Sequence, residues 1–146
     1  TSVLFAVGMT VSAVSSAAVI NGTIGNIDGD GDGLVNDLKI SRVLFNVTAG
    51  TNVFFDSLVF ESTGVDLNGD GKITGFDNFM VLLDGTTLLA ANDDSGATFG
   101  DGSVHGFDST ISYTFANAGT YMITLGQLSY NVDEALQGYD SNRSDT

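Results

Sequence analysis

The chain has 146 residues, with 18 acidic and 4 basic side chains and a formal charge of −14. That length suits one domain with a real core, and the charge argues against nucleic acid or an anionic membrane surface as partner, because phosphate neutralisation needs Lys and Arg in number. Cys is absent, which rules out a disulfide framework and a thiolate metal site, and divalent cations are the natural counter-charge.

Thr1 to Ile27 carries no charged side chain. The opening TSVLFAVGMTVSAVSSAAV resembles the apolar core of a secretory signal peptide, with small residues suited to cleavage near Ala17 or Ala18. It has no initial Met and no basic n-region, so the segment reads as retained and ordered. Val3, Phe5, Val7, Met9, Val11 and Ala13 share one face, while Ala6, Gly8, Thr10 and Ser12 share the other, with Leu4 as the one large exception. Period two is the strand signature, and the β-branched content agrees. Length alone also permits a membrane-spanning or pilin-like helix, but no membrane span is favoured. Residues 1–18 are therefore expected to form an N-terminal extension strand, and 19–146 the folded domain.

From Val19 onward, short apolar runs alternate with Gly, Asn and Asp turns. The runs predict strands at Val19–Ile24, Ile40–Val47, Asn52–Phe60, Phe79–Leu83, Thr86–Ala91, Thr110–Phe115 and Thr120–Gly126, and no helix. Asp84-Gly85 between two apolar runs is a two-residue hairpin signal. The expected fold is all-β: an antiparallel, jelly-roll-like sandwich with the extension strand and inserted calcium-binding loops.

Two acidic loops interrupt the strands. DLNGDGKITGFD resembles an EF-hand or dockerin calcium loop at nearly every position. Asp66, Asn68 and Asp70 stand at positions one, three and five, Gly71 makes the turn, Lys72 offers its carbonyl and Asp77 closes the loop at position twelve. The residues after Asp77 read as a hairpin, so the loop is a staple mounted on a sheet and not a helix-opening sensor. DGDGDGLVND is a partial match. Asp28, Asp30, Asp32 and the Leu34 carbonyl fit, whereas Lys39 occupies position twelve; Asp37 supplies the closing carboxylate if the loop ends early. A third acidic group, Asp93, Asp94, Asp101 and Asp108, surrounds DDSGATFGDGSVHGFD. Solvated polar turns are the alternative reading of each loop.

INGTIG, VLFNVTAGTNVFF, FDNFMVLLDGTTLLAANDDS and FDSTISYTFANAGTYMITL together resemble the bacterial pre-peptidase C-terminal domain and its calcium-binding relatives. The resemblance covers roughly Val19 to Tyr130 and implies a secreted β-sandwich that binds Ca2+ or extracellular polymers. It departs from the family at the insertion GVDLNGDGKIT. It departs again after LGQLSYNVDEALQGYD, where relatives continue into one more edge strand and only SNRSDT follows here.

His105 is the only histidine. A Ser-His-Asp reading would enlist Ser103 and Asp108, yet no nucleophile elbow or oxyanion device accompanies them, and no enzyme is expected. Asn21-Gly-Thr23, Asn46-Val-Thr48 and Asn142-Arg-Ser144 match the N-glycosylation acceptor pattern. The expected function is a structural subunit of a secreted, calcium-stabilised extracellular filament or tube. It polymerises with itself by inserting Val3, Phe5, Val7, Met9 and Val11 into a neighbour's open sheet. The alternative is a secreted calcium-dependent module that binds an extracellular glycan or matrix protein, a reading kept open by 10 Phe and 4 Tyr although Trp is absent.

Overall fold

The computed structural model describes residues 18–20, 22–61, 64–66, 71–95 and 102–141. The donor-strand residues Val3, Phe5, Val7, Met9 and Val11 lie outside the described residues, as do Asn21, Asn68, Asp70, Asp101 and Asn142. The elements are β1 (Asn26–Ile27), β2 (Asp37–Lys39), β3 (Ser41–Val47), β4 (Asn52–Asp56), β5 (Asn78–Asp84), β6 (Thr87–Asn92), β7 (Thr110–Thr114), β8 (Gly119–Gln127), α1 (Val132–Gln137) and β9 (Tyr139–Asp140). They form an antiparallel all-β sandwich. A central sheet ordered β3-β8-β5-β6 faces the pair β4-β7, and a small sheet β1-β2-β9 continues beside it.

β5 explains the layering. Its sequence NFMVLLD is continuously apolar in the middle, the pattern of a strand covered on both faces. Met80 and Leu82 point into a cluster with Ile111, Phe115 and Tyr121, between the central sheet and β4-β7. Val81 and Leu83 point the other way, into a cluster with Ile40, Tyr130 and Ala135. Ala135 belongs to α1, so the helix forms a third layer on the outer face of the central sheet. Burying a side chain such as Leu82, fully enclosed here, contributes about 1.5–3 kcal/mol.

Five of the seven predicted strands appear within a residue or two of the predicted bounds, and two differ. The run Val19–Ile24 is not a strand. Val19 and Ile20 are exposed, and pairing begins only at Asn26, opposite Leu38. The run Asn52–Phe60 ends at Asp56, because beyond it the Val59 and Phe60 amides donate to the Asp108 carboxylate and Ser57 N donates to Ser109 O. The hairpin is present but sits one residue later than Asp84-Gly85. Asp84 pairs with Thr87, leaving Gly85 and Thr86 as the loop, with Gly85 at φ +55° where a two-residue hairpin requires a positive value.

The helix is a correction to the strand-only expectation. Asn131 accepts from Glu134 N while the Glu134 carboxylate accepts from Asn131 N, a reciprocal capping box, and Gly138 closes the C-terminus. Among the described residues no helix is long and apolar enough to cross a membrane.

Candidate metal centres

Two carboxylate clusters stand out, one assembled locally and one by sheet register. In the first, oxygens of Asp28, Asp30 and Asp37 lie within 4.8 Å of one another. The loop is folded by its own side chains: Asp28 accepts from Gly33 N at 3.2 Å, Asp30 from Asp32 N at 3.0 Å and Asp32 from Leu34 N at 2.7 Å. Asp37, anchored on β2 and only 2 % exposed, accepts from Gly29 N at 2.7 Å and Asp30 N at 3.0 Å. The loop thus closes early, through Asp37. Tyr139 limits its variation, since a Cβ on Gly29 would stand 2.4 Å from that ring. Asp32 is not one of the three converging carboxylates and bonds within its own turn, while Leu34 is exposed.

The second cluster joins Asp77, Asp93 and Asp94, again with oxygens within 4.8 Å. These residues were expected to serve different loops. The β5–β6 register pairs Met80 with Asn92, so the chain entering β5 and the chain leaving β6 meet at one end of the hairpin. Asp77 and Asp93 each hold one carboxylate oxygen sealed from solvent without a hydrogen-bond partner. Both carboxyls are pushed above the ordinary carboxylate value. For Asp77 burial comes first and then the charges of Asp93 and Asp94; for Asp93 burial comes first and then the charge of Asp94. Every cause is burial or a like charge, and both disfavour the ionised carboxylate.

The remaining predicted ligands are placed differently. Asp66 accepts from Gly71 N at 2.8 Å and Lys72 is exposed; of the five predicted ligands in that loop, Asn68 and Asp70 lie outside the described residues. Asp108 is fully buried and is not one of the converging carboxylates of the Asp77 cluster. One of its oxygens accepts from Val59 N at 3.0 Å, Phe60 N at 3.1 Å and Asn78 Nδ2 at 2.9 Å, and the other from Val104 N at 2.8 Å. Four donors occupy it, so it acts as a structural hub. His105 is exposed in the adjoining loop. Asn46 is exposed on β3, and its side-chain oxygen accepts from Thr120 Oγ1 at 2.6 Å.

Sequence reasoning missed the polar core behind the second cluster. Ser57 Oγ donates to Asn78 Oδ1, and Ser109 Oγ lies 2.9 Å from the Asn78 carbonyl and 2.6 Å from the Asp93 carbonyl. This network fixes the backbone of Asp93 next to β5. Glu61 was also missed: it is 1 % exposed and accepts from Thr74 N at 2.8 Å, tying the base of the Asp66 loop to the domain. No short-range motif announces either feature, because the partners are far apart in the chain.

Two predictions follow from this chemistry. Asp108→Asn keeps one acceptor oxygen but turns an amide donor toward Val104 N or, if flipped, toward three donors. The unmet pairing should cost about 1–3 kcal/mol. Calorimetric cation stoichiometry should not change, which distinguishes a hub from a ligand. The pH profile provides the other. Without cation, the folded Asp77 and Asp93 hold protons to higher pH than in the unfolded chain. Their contribution is full below the ordinary value of 3.8 and is lost as pH rises through the raised folded values. In chelator, the stability of the wild-type protein relative to Asp77→Asn should therefore fall with rising pH across that window; bound cation should abolish the fall. A flat difference in chelator would mean the three carboxylates do not repel.

No family model, no curated protein and no solved structure matches this chain.

Proposed function

We propose that the chain is a secreted structural subunit that binds Ca2+ at its acidic clusters and polymerises into an extracellular filament or tube through its N-terminal strand. The observation that supports the polymer reading is a core enclosed at its centre and only partly covered at its β3–β4 flank. Leu82 and Phe115 are fully enclosed, whereas the inward-facing Phe45 and Val47 of β3 and Val53 and Phe55 of β4 are only half-buried. Eleven extended residues from Val3 to Ala13 span about 36 Å, at about 3.3 Å each, enough to cross a small sandwich. An apolar alternating segment of that length is a suitable cover for such an edge.

Calcium is the cation favoured by the donor chemistry. Both clusters offer carboxylate oxygens alone, the hard ligands that suit Ca2+. The motif resemblance to secreted pre-peptidase-type sandwiches supports the extracellular placement. Electron microscopy of the purified full-length protein tests the reading: regular polymers are expected in Ca2+ and shortened or absent ones after chelation. Discrete particles under both conditions would reject the filament.

A further inference from the structure

Two of the chain's four basic side chains, Lys39 and Arg42, line one cleft of about 450 Å³ together with Asp28, Gln137 and Tyr139. In a chain with 18 acidic side chains, two cations against one carboxylate is a local reversal of sign. We propose that the cleft binds an acidic sugar, a single ring carrying a carboxylate or a sulfate, whose acid group is taken by Lys39 and Arg42. Neither polymerisation nor calcium at the Asp28 cluster is needed for it.

The fold fixes both cations from separate segments. Lys39 ends β2 directly opposite Tyr139 of β9, so the two side chains project from the same face of the small sheet. Its backbone is held on each side: Lys39 N donates to Gly25 O at 3.0 Å, and the buried Ile40 donates to Gly138 O at 2.8 Å. Arg42 arrives from the second position of β3, and its Nη1 donates to the Leu136 carbonyl in the last turn of α1. Its guanidinium lies against Gly138, where a Cβ would stand 2.7 Å from Nε. Gly138 therefore serves twice, through its φ of +90° at the helix end and through the room it leaves for Arg42.

The donors that remain suit an oxyanion. Lys39 carries three N–H groups, and Arg42 uses one of five on Leu136. Among the described residues neither forms an ion pair. Asp37 closes the acidic loop, so Lys39, standing where a calcium loop places its last carboxylate, is left to the cleft. The rest of the lining favours a sugar over a bare anion. Asp28 and Gln137, both exposed, offer acceptors to ring hydroxyls, and half-buried Tyr139 offers an aromatic surface. The volume falls in the range of about 300–1,000 Å³ typical of small-molecule sites. At physiological ionic strength, charges more than about 8 Å away are largely screened. The acidic surface beyond the cleft therefore does not outweigh two cations touching the ligand.

Calorimetric titration of the full-length protein with glucuronate, glucose 6-sulfate, glucose and inorganic sulfate tests the site. Each titration is run in Ca2+ and again in chelator, so that the state of the Asp28 cluster cannot by itself decide the result. One of the two acidic sugars should bind at a single site, with glucose and inorganic sulfate each at least about tenfold weaker, since bonds to charged groups and to hydroxyls both contribute. Lys39→Met keeps the apolar stem and removes the charge; it should weaken the acidic sugar about tenfold or more while leaving Tm unchanged. Lys72→Met removes the same charge from the Asp66 loop, outside the cleft, and should bind as wild type. Acidic sugars that bind no tighter than glucose in wild-type protein would overturn the site, whatever the stability of the variants. So would equal losses in Lys39→Met and Lys72→Met, which would reduce the effect to net charge. Inorganic sulfate binding as tightly as either sugar acid would overturn the sugar and leave a bare anion site.

Discussion

Phe5→Asp is expected to abolish assembly while leaving the domain from Val19 onward folded. In the strand-exchange reading, Phe5 is the largest side chain on the donor's apolar face, flanked by Val3 and Val7. The substitution removes that side chain and places a carboxylate against apolar side chains with no basic partner provided. Burying such a charge costs several kcal/mol, and each 1.4 kcal/mol is about tenfold in an association constant. The concentration needed for polymer formation should rise at least about a hundredfold, measured by sedimentation. Deleting Thr1 to Ser16 should have the same consequence by removing the donor outright. In both proteins the melting transition and calcium stoichiometry should stay as in wild type. If the truncated chain polymerises at the wild-type concentration, the donor mechanism is wrong.

Calcium removal should produce the largest change in the stability of the domain itself. An ion that binds only the folded state contributes about 2.7 kcal/mol per independent site at a hundredfold excess over Kd, so two sites give about 5 kcal/mol. At about 2–4 °C per kcal/mol for a chain of this size, chelation should lower Tm by about 10–20 °C. The sites can be addressed separately. Asp94 is exposed and close to Asp77 and Asp93, so Asp94→Ala should remove one ion from the calorimetric stoichiometry with little effect on the fold. Asp28→Ala should do the same for the first cluster. A Tm indifferent to chelator would identify both clusters as solvated turns.

What sequence alone determined about this protein was local. Alternation in VLFNV and TYMITL made β3 and β8 legible, because one face of each is buried and the side-chain period of a strand is two. The hairpin between β5 and β6 announced itself through Gly85, and the closure of the first acidic loop at Asp37 was readable because its carboxylates fall within one short segment. The capped helix was also written locally, in the Asn131 and Glu134 spacing, although no helix is expected from the sequence pattern. Its role was decided elsewhere: only the tertiary structure shows that the continuous apolar run of β5 is covered on both faces, by the β4-β7 side of the sandwich on one and by α1 on the other. Strand register made the second cluster, bringing Asp77 to Asp93 and Asp94, and no spacing rule within a single loop could have paired them. Burial gave Asp108 its task, since a carboxylate surrounded by four donors is held by hydrogen bonds whatever its place in an acidic run. Local pattern is set by which residues can face a core; partnership between distant residues is set by how the sheets are stacked.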